Sequence, residues 1–303
     1  MDYRALGASG LNVPVIGLGT ANFRTGAGTQ GWLGEKAAAR LIDMAIDHGA
    51  PFFDSGGTHG SAEDVLGKLL GKRRPRALVA TRAGLRAGDG PNETGASRHH
   101  LIDTCERSLR RLATDYIDLF QIHAFDGRTP VEETLSTLDR LIAAGKVRYV
   151  GCSNHAAWQL MKALAASDRH GWARYVSHQI AWSLVQRDAE WELVPLGADQ
   201  NVASLVWSPL AGGLLSGKYG RGRLALSAAG RKPGRQGDLS ESRVFDTIDC
   251  LGEVAKETGA THAQVAIAWL LQRPTVASLF IGASSADQFE QNLGAIGLHL
   301  TGD

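Results

Sequence analysis

The chain has 303 residues, 44% of them hydrophobic and 21% charged, so it carries enough apolar material for a sizeable core. Thirty-two Lys and Arg against 31 Asp and Glu leave a formal net charge of +1, which gives no electrostatic case for a nucleic-acid partner. Three scattered cysteines, Cys105, Cys152 and Cys250, are too few for a disulfide framework or a zinc site, and no metal is expected.

Met1 to Arg4 lacks the charged and then apolar segments of a leader peptide. No apolar run approaches the roughly 18–20 residues that cross a bilayer. A soluble, cytoplasmic protein without a membrane partner is expected.

In chain order, Leu11 to Thr20 is apolar and β-branched and ends in a Gly-x-Gly turn, which predicts a strand opening onto a loop. Glu35 to Asp47 carries apolar residues at helical spacing, with Gly49 as the stop. Pro51 to Asp54 is a short apolar run before a glycine-rich turn, and Ser61 to Leu70 predicts a helix capped by Ser61. The alternation then repeats. Ala77–Thr81, Ile117–Ile122, Val147–Cys152, Tyr175–Ile180, Ala203–Trp207 and Val276–Ile281 read as strands. Ser97–Leu112, Val131–Ala144, Ala156–Ser167, Trp191–Gln200, Ser242–Thr258 and Ala286–Leu293 read as helices.

Eight such units with continuous apolar strands predict a (β/α)8 TIM barrel. No composition break marks a second domain, so one domain over residues 1–303 is expected. Leu214 to Glu241 is the exception to the short-loop pattern. Its Lys218, Arg221, Arg223, Arg231, Lys232 and Arg235 suit a lid over phosphates, and a solvated surface loop is the plainer reading.

Active sites of such barrels lie at the C-terminal ends of the strands. Collecting polar residues there gives Asp54, His59, Arg82, His123, Ser153, Asn154, Gln179, Trp207 and Ser208. Singly, an Asp there is a helix cap and a His a satisfied core residue. Convergence of six strands on one face is what points to a site.

FFDSGGTHGSAEDVLGKLL (residues 52–70), LRRLATDYIDLFQIH (109–123), AGKVRYVGCSN (144–154), VWSPLAGGLLSGKY (206–219) and IGASSADQFEQN (281–292) together give the chain a full-length resemblance to the aldo-keto reductases. These are (β/α)8 oxidoreductases that use NAD(P)H. The resemblance implies an Asp, a Tyr, a Lys and a His around a carbonyl. Asp54 and His123 match. The Tyr, five residues after the Asp, is here His59, and the Lys is Arg82.

Hydride transfer to a carbonyl builds an alkoxide that needs a proton and a nearby positive charge. A tyrosine, at pKa about 10, becomes a useful acid beside a lysine ammonium, whereas imidazole at about 6.5 does not need that help. Beside a guanidinium His59 should tend to lose its proton, an effect partly cancelled where Asp54 pairs with Arg82. Three arrangements stay open. His59 replaces the acid while His123 orients the carbonyl; His123 is the donor while Arg82 and His59 stabilise the oxyanion; or the altered site serves another reaction.

For the cofactor, NADP or NAD, the resemblance implies that Ser153, Asn154 and Gln179 hold the nicotinamide carboxamide and Trp207 stacks on its ring. Gly19, Thr20 and Asp54 border the same site. Ser208, Leu210, Gly212, Ser216 and Lys218 line a pyrophosphate channel. Gly282, Ala283 and Ser284 open the last helix, whose N–H groups favour an anion, and Gln288 and Asn292 share the face that holds adenine. Ser284 stands where many relatives carry an Arg against the 2′-phosphate, so weakened discrimination for NADP is expected.

Trp32 and Phe125 are candidates for a substrate wall, while Trp158, Trp172 and Trp191 are expected to anchor helices. His99, His100 and His178 read as structural. The chain ends at Asp303 soon after the last helix, which implies a short C-terminal substrate loop and an open site for a small carbonyl or sugar-like alcohol. An epimerase or lyase using bound nicotinamide, and a dinucleotide-binding regulatory protein like the channel-associated members of the family, are the alternatives.

Overall fold

The computed structural model describes residues 1–25, 32–55, 61–220 and 241–301. The chain opens with an antiparallel hairpin, β1 (Tyr3–Ala5) and β2 (Asn12–Pro14), and then enters β3 (Ile16–Gly19). The single strand expected over residues 11–20 is thus broken in two. Pro14 has no N–H and cannot sit inside a ladder bonded on both sides. Val15 joins the pieces: its N–H donates to Asp2 O at 3.0 Å, and its carbonyl accepts from Leu279 N at 2.9 Å.

Apart from one added helix, the remaining elements follow the expected order. They are α1 (Glu35–Asp47), β4 (Phe52–Asp54), α2 (Ser61–Leu70), β5 (Leu78–Ala83), α3 (Arg98–Leu112), β6 (Ile117–Ile122) and α4 (Val131–Ala143). Then come β7 (Val147–Ser153), α5 (Ala157–His170), β8 (Ser177–Ala181), α6 (Ala189–Gln200) and β9 (Ala203–Trp207). The chain continues through α7 (Glu241–Thr258), α8 (His262–Leu271), β10 (Val276–Ile281) and α9 (Ala286–Leu293). Strands β3 to β10 pair in parallel and close a barrel in which β10 lies between β9 and β3. This is the (β/α)8 architecture. No helix among the described residues is long and apolar enough to cross a membrane.

Two apolar layers follow from the period-two alternation of the strands. One side chain set, including Phe53, Val79, Phe120, Val150, Ile180 and Val206, packs outward against the helices. The other, including Phe52, Leu119, Leu205 and Phe280, fills the barrel and meets Leu6 and Val13 of the hairpin. The Phe52 and Phe280 rings meet edge to face with centroids 4.8 Å apart. Gly17 makes room for them: a Cβ there would lie 2.7 Å from Phe52 O and 2.8 Å from Phe280 Cε1.

The connection from β9 to β10 holds one helix more than the sequence reading expected. Ile267, Ala268, Leu270 and Leu271 of α8 join the barrel-facing core. Val244, Phe245, Ile248 and Leu251 of α7 form a separate cluster with Leu214, Leu215, Val265 and Ala266. The helix expected over residues 242–258 is therefore an outer layer, and α8 covers the barrel. Because α8 is buried from both sides it is apolar all round, which hides the helical period. Its start was legible: Thr261 Oγ1 accepts from Gln264 N at 3.2 Å and Gln264 Oε1 accepts from Thr261 N at 2.9 Å.

Trp191 and Trp158 do not anchor their helices as expected, being 83% and 61% exposed. On α6 the buried positions are Ala189, Val194 and Gly197, and Trp191 stands on the opposite side. Trp158 lends an edge to Phe125, centroids 5.6 Å apart. Trp172 does pack, stacked on His170 at 4.3 Å.

Candidate active site

The parallel barrel brings the C-terminal ends of its strands to one rim, because every strand runs the same way. Asp54 ends β4 opposite Gly19 of β3. Arg82 lies in β5 opposite Gln121 of β6. His123 follows β6 at once, its backbone N–H donating to Ala83 O at 2.8 Å. Ser153 ends β7 opposite Gln179 of β8, and Trp207 ends β9 beside Ala181 and Phe280.

Four of these side chains, Arg82, Asp54, Gln179 and Gln121, form one chain of polar contacts. The Arg82 guanidinium pairs with Asp54 Oδ2, both side chains being about nine-tenths buried. Gln179 Nε2 donates to the same oxygen at 3.2 Å, and Gln121 Nε2 donates to Gln179 Oε1 at 3.4 Å. Gln121 was not among the residues singled out in the sequence. It is the lone amide in an apolar strand, two positions before His123 and therefore on the same face.

Four buried polar atoms of this group have no partner among the described residues: Asp54 Oδ1, Arg82 Nε, Gln121 Oε1 and His123 Nδ1. Each such atom costs about 1–3 kcal/mol of desolvation. Buried polar atoms without a protein partner are met by water, an ion or a ligand, or belong to groups that act in catalysis. His123 has its pKa pushed down to about 4, first by burial and then by the Arg82 charge. Its imidazole is therefore neutral near pH 7, with one nitrogen able to donate a hydrogen bond and the other to accept one.

Beside this group the loop after β7 is tightly held. Ser153 Oγ donates to Gln179 O at 3.0 Å and Asn154 N–H to the same carbonyl at 3.1 Å. Asn154 sits in the left-handed region at φ 54, and its Nδ2 donates to His123 O and Ser153 Oγ, each at 3.0 Å. Thr20 spends both N–H and Oγ1 on Asp54 O, at 2.9 and 3.1 Å. It is thus a brace for the end of β4.

After β9, Trp207 ends its strand 37% exposed. Ser208 (φ 54) turns the chain into a 3-10 turn, Ala211–Ser216, in which Gly212 is also left-handed. Leu210 packs into the core, Ser216 Oγ donates to Gly213 O at 2.6 Å, and Lys218 is exposed. After β10, Asn22 Nδ2 donates to Ala283 O at 2.9 Å and joins this loop to the one after β3.

The anion-favouring turn expected at Gly282 to Ser284 is partly spent. Ser284 N–H and Oγ both donate to Gln288 Oε1 at 2.8 Å, and the helix cap falls one residue later, at Ser285. Gln288 and Asn292 share a face of α9 one turn apart, with Asn292 buried and its Nδ2 unpartnered among the described residues. His59, and Arg221, Arg223, Arg231, Lys232 and Arg235 of the long connection, lie outside the described residues. Of the wall candidates, Phe125 packs between His155 and Trp158, and the Arg24 guanidinium lies 3.8 Å over the Trp32 ring.

A family model described as the aldo/keto reductase family matches residues 15–303. An uncharacterized oxidoreductase, YrpG, of Bacillus subtilis (strain 168) is 36% identical over 99% of this chain and 92% of its own length. A probable voltage-gated potassium channel subunit beta of Arabidopsis thaliana is 33% identical over 98% of the chain and 91% of that protein. Versiconal hemiacetal acetate reductase of Aspergillus parasiticus is 31% identical, covering 99% and 94%.

Proposed function

The chain belongs to the aldo/keto reductase family, and from that premise we propose that it is an NAD(P)-dependent oxidoreductase working between a small carbonyl compound and its alcohol. The observation that carries this reading is the buried Arg82–Asp54–Gln179–Gln121 chain, with atoms unpartnered among the described residues, beside a neutral His123.

The residues fit a nicotinamide. Gln179 uses one amide hydrogen on Asp54 and one lone pair on Gln121, which leaves one of each for a carboxamide. Asn154 spends both Nδ2 hydrogens and keeps Oδ1 as a further acceptor. Trp207 supplies an apolar wall that orients a flat ring. When bound, the dinucleotide supplies the hydride.

The other steps belong to the protein. Neutral His123 donates a hydrogen bond that orients the substrate oxygen. Arg82, fixed by Asp54, places a permanent positive charge where negative charge develops. A guanidinium carries no proton that it gives up in ordinary acid–base catalysis. The proton is therefore assigned to His59, on its sequence position five residues after Asp54. Ser284 brings no charge to a 2′-phosphate, so NAD and NADP are bound within a small factor of each other, with exposed Lys218 the nearest cation in sequence on the β9 side.

Titration calorimetry with both dinucleotides, followed by turnover of an aldehyde and ketone panel, tests the reading. Binding of at least one dinucleotide and consumption of reduced cofactor are expected. No heat with either would end it. Exchanging His59→Tyr together with Arg82→Lys should lower the native turnover; a large gain would mean that the two residues are not adapted to it. Ser284→Arg should raise NADP affinity about tenfold, as a clamped phosphate is worth more than 1 kcal/mol.

A second reading is favoured by the likeness to a protein named as a probable potassium channel beta subunit. On that reading the barrel binds the dinucleotide and reports on it to a partner. Tight binding with no turnover of any carbonyl would select it.

A further inference from the structure

Two successive residues of β8 grip the loop after β7, Gln179 through its backbone and His178 through its side chain. In the plane of the sheet the backbone carbonyl of Gln179 takes Asn154 N–H and Ser153 Oγ. On the outer side His178 Nε2 accepts the backbone N–H of His155 at 3.1 Å. The His155 ring bends back so that its Nδ1 lies 2.9 Å from Ser153 O. Ser153, Asn154 and His155 are thus bonded to a backbone and a side-chain acceptor of β8 and to one another.

The outer grip has one chemical requirement. An imidazole nitrogen accepts a hydrogen bond only when it carries no proton, so His178 must be neutral with its hydrogen on Nδ1. The surroundings enforce this. His178 is 3% exposed and His155 is 4% exposed. Burial, and then the neighbouring His155, push the His178 pKa down to about 3. The two rings meet edge-on at 6.2 Å, and Phe125 and Tyr175 close the far sides of His155 at 5.6 and 6.2 Å. Among the described residues no group of three or more His, Cys, Asp or Glu is placed to hold a metal, so the imidazole pair is not a ligand set.

What the grip holds is the turn at Asn154, left-handed at φ 54. The same residue reaches His123 O through Nδ2 at 3.0 Å. A loop free to leave that conformation would carry the Asn154 amide away from the rim and release its bond to His123 O.

We propose that His178 is a positioning residue: its unprotonated Nε2, by holding the His155 N–H, fixes the left-handed turn at Asn154 and through it the amide and carbonyl groups that meet the nicotinamide. The nicotinamide part rests on the function proposed above; the loop part does not.

Full-length protein and two variants test it. His178→Gln offers an amide oxygen close to where Nε2 stands, and His178→Leu removes the acceptor at similar volume. Histidine-selective nitrogen NMR of the wild type at pH 7 should show an unprotonated Nε2. A proton on Nε2 would overturn the proposal. Hydrogen exchange at the His155 amide, measured well below every melting midpoint, should be slow in wild type and His178→Gln and about five- to tenfold faster in His178→Leu, the worth of one hydrogen bond. Equal exchange in all three would overturn it.

Dissociation constants for NADPH and NADH should rise about five- to tenfold in His178→Leu and stay near wild type in His178→Gln. If the Leu variant binds as tightly as wild type, or the Gln variant as weakly as Leu, the positioning role is wrong. If wild type binds neither dinucleotide, the proposed function is what has failed, and the His155 amide alone decides the loop.

Discussion

Arg82 and Asp54 are a pair of full charges held almost out of water at the mouth of the barrel. Removing one partner from such a pair strands the other, at a typical cost of about 3–5 kcal/mol, whereas removing both at once costs less. Arg82→Met should therefore lower the urea midpoint strongly, and adding Asp54→Asn to that variant should restore much of the loss. Equal losses in the single and double variants would show that the pair does not bear on stability. Asp54, Arg82 and His123 were legible in the sequence because each stands next to the end of an apolar run. Gln121 was not, because an amide inside such a run has meaning only once its face is known.

Helices α7 and α8 divide the labour between β9 and β10. Ile267 of α8 is fully buried in the core shared with the barrel, so Ile267→Ala should cost about 2–5 kcal/mol. Thr261→Ala, which removes one half of the capping box, should cost about 1 kcal/mol. Urea denaturation of both variants checks the order. A Thr261 variant as damaging as the Ile267 one would mean that α8 depends on its cap more than on its packing. The boundaries of most elements were legible because glycines, caps and periodicity act within one helical turn. Helix α8 escaped that reading because burial on both sides removes the polar stripe that marks a helix. The broken first strand escaped because Pro14 acts through the partners on its two sides, and those are not visible in a linear chain.

At the scale of the molecule, buried imidazoles tie stability to pH. His123 and His178 are pushed down to about 4 and about 3, chiefly by burial. His155 and His100 are lowered for the same leading reason. Below about pH 6.5 the unfolded chain protonates these groups while the fold still excludes the proton, so the unfolded state binds more protons. Stability should be full above about pH 6.5 and fall as the pH drops through 6 and 5 towards the folded values. Thermal midpoints at pH 7.5, 6 and 5 check this, and a midpoint that rises on acidification would contradict it. The His178→Leu variant should show a shallower fall.

Alternation, caps and glycine stops determined, from the sequence alone, that this chain forms eight repeated strand–helix units with polar residues at one set of strand ends. Those signals are local, and a periodic chain expresses them wherever it folds. The tertiary structure decided which of the polar residues meet. Gln179 and Asp54 are 125 residues apart and share one hydrogen bond. Asp54 lies in register with Ala80 rather than with Arg82, and the stagger of the closed barrel still brings the guanidinium to its carboxylate. Closure, shear and the parity of each strand set those distances, and they exist only when all eight strands are paired.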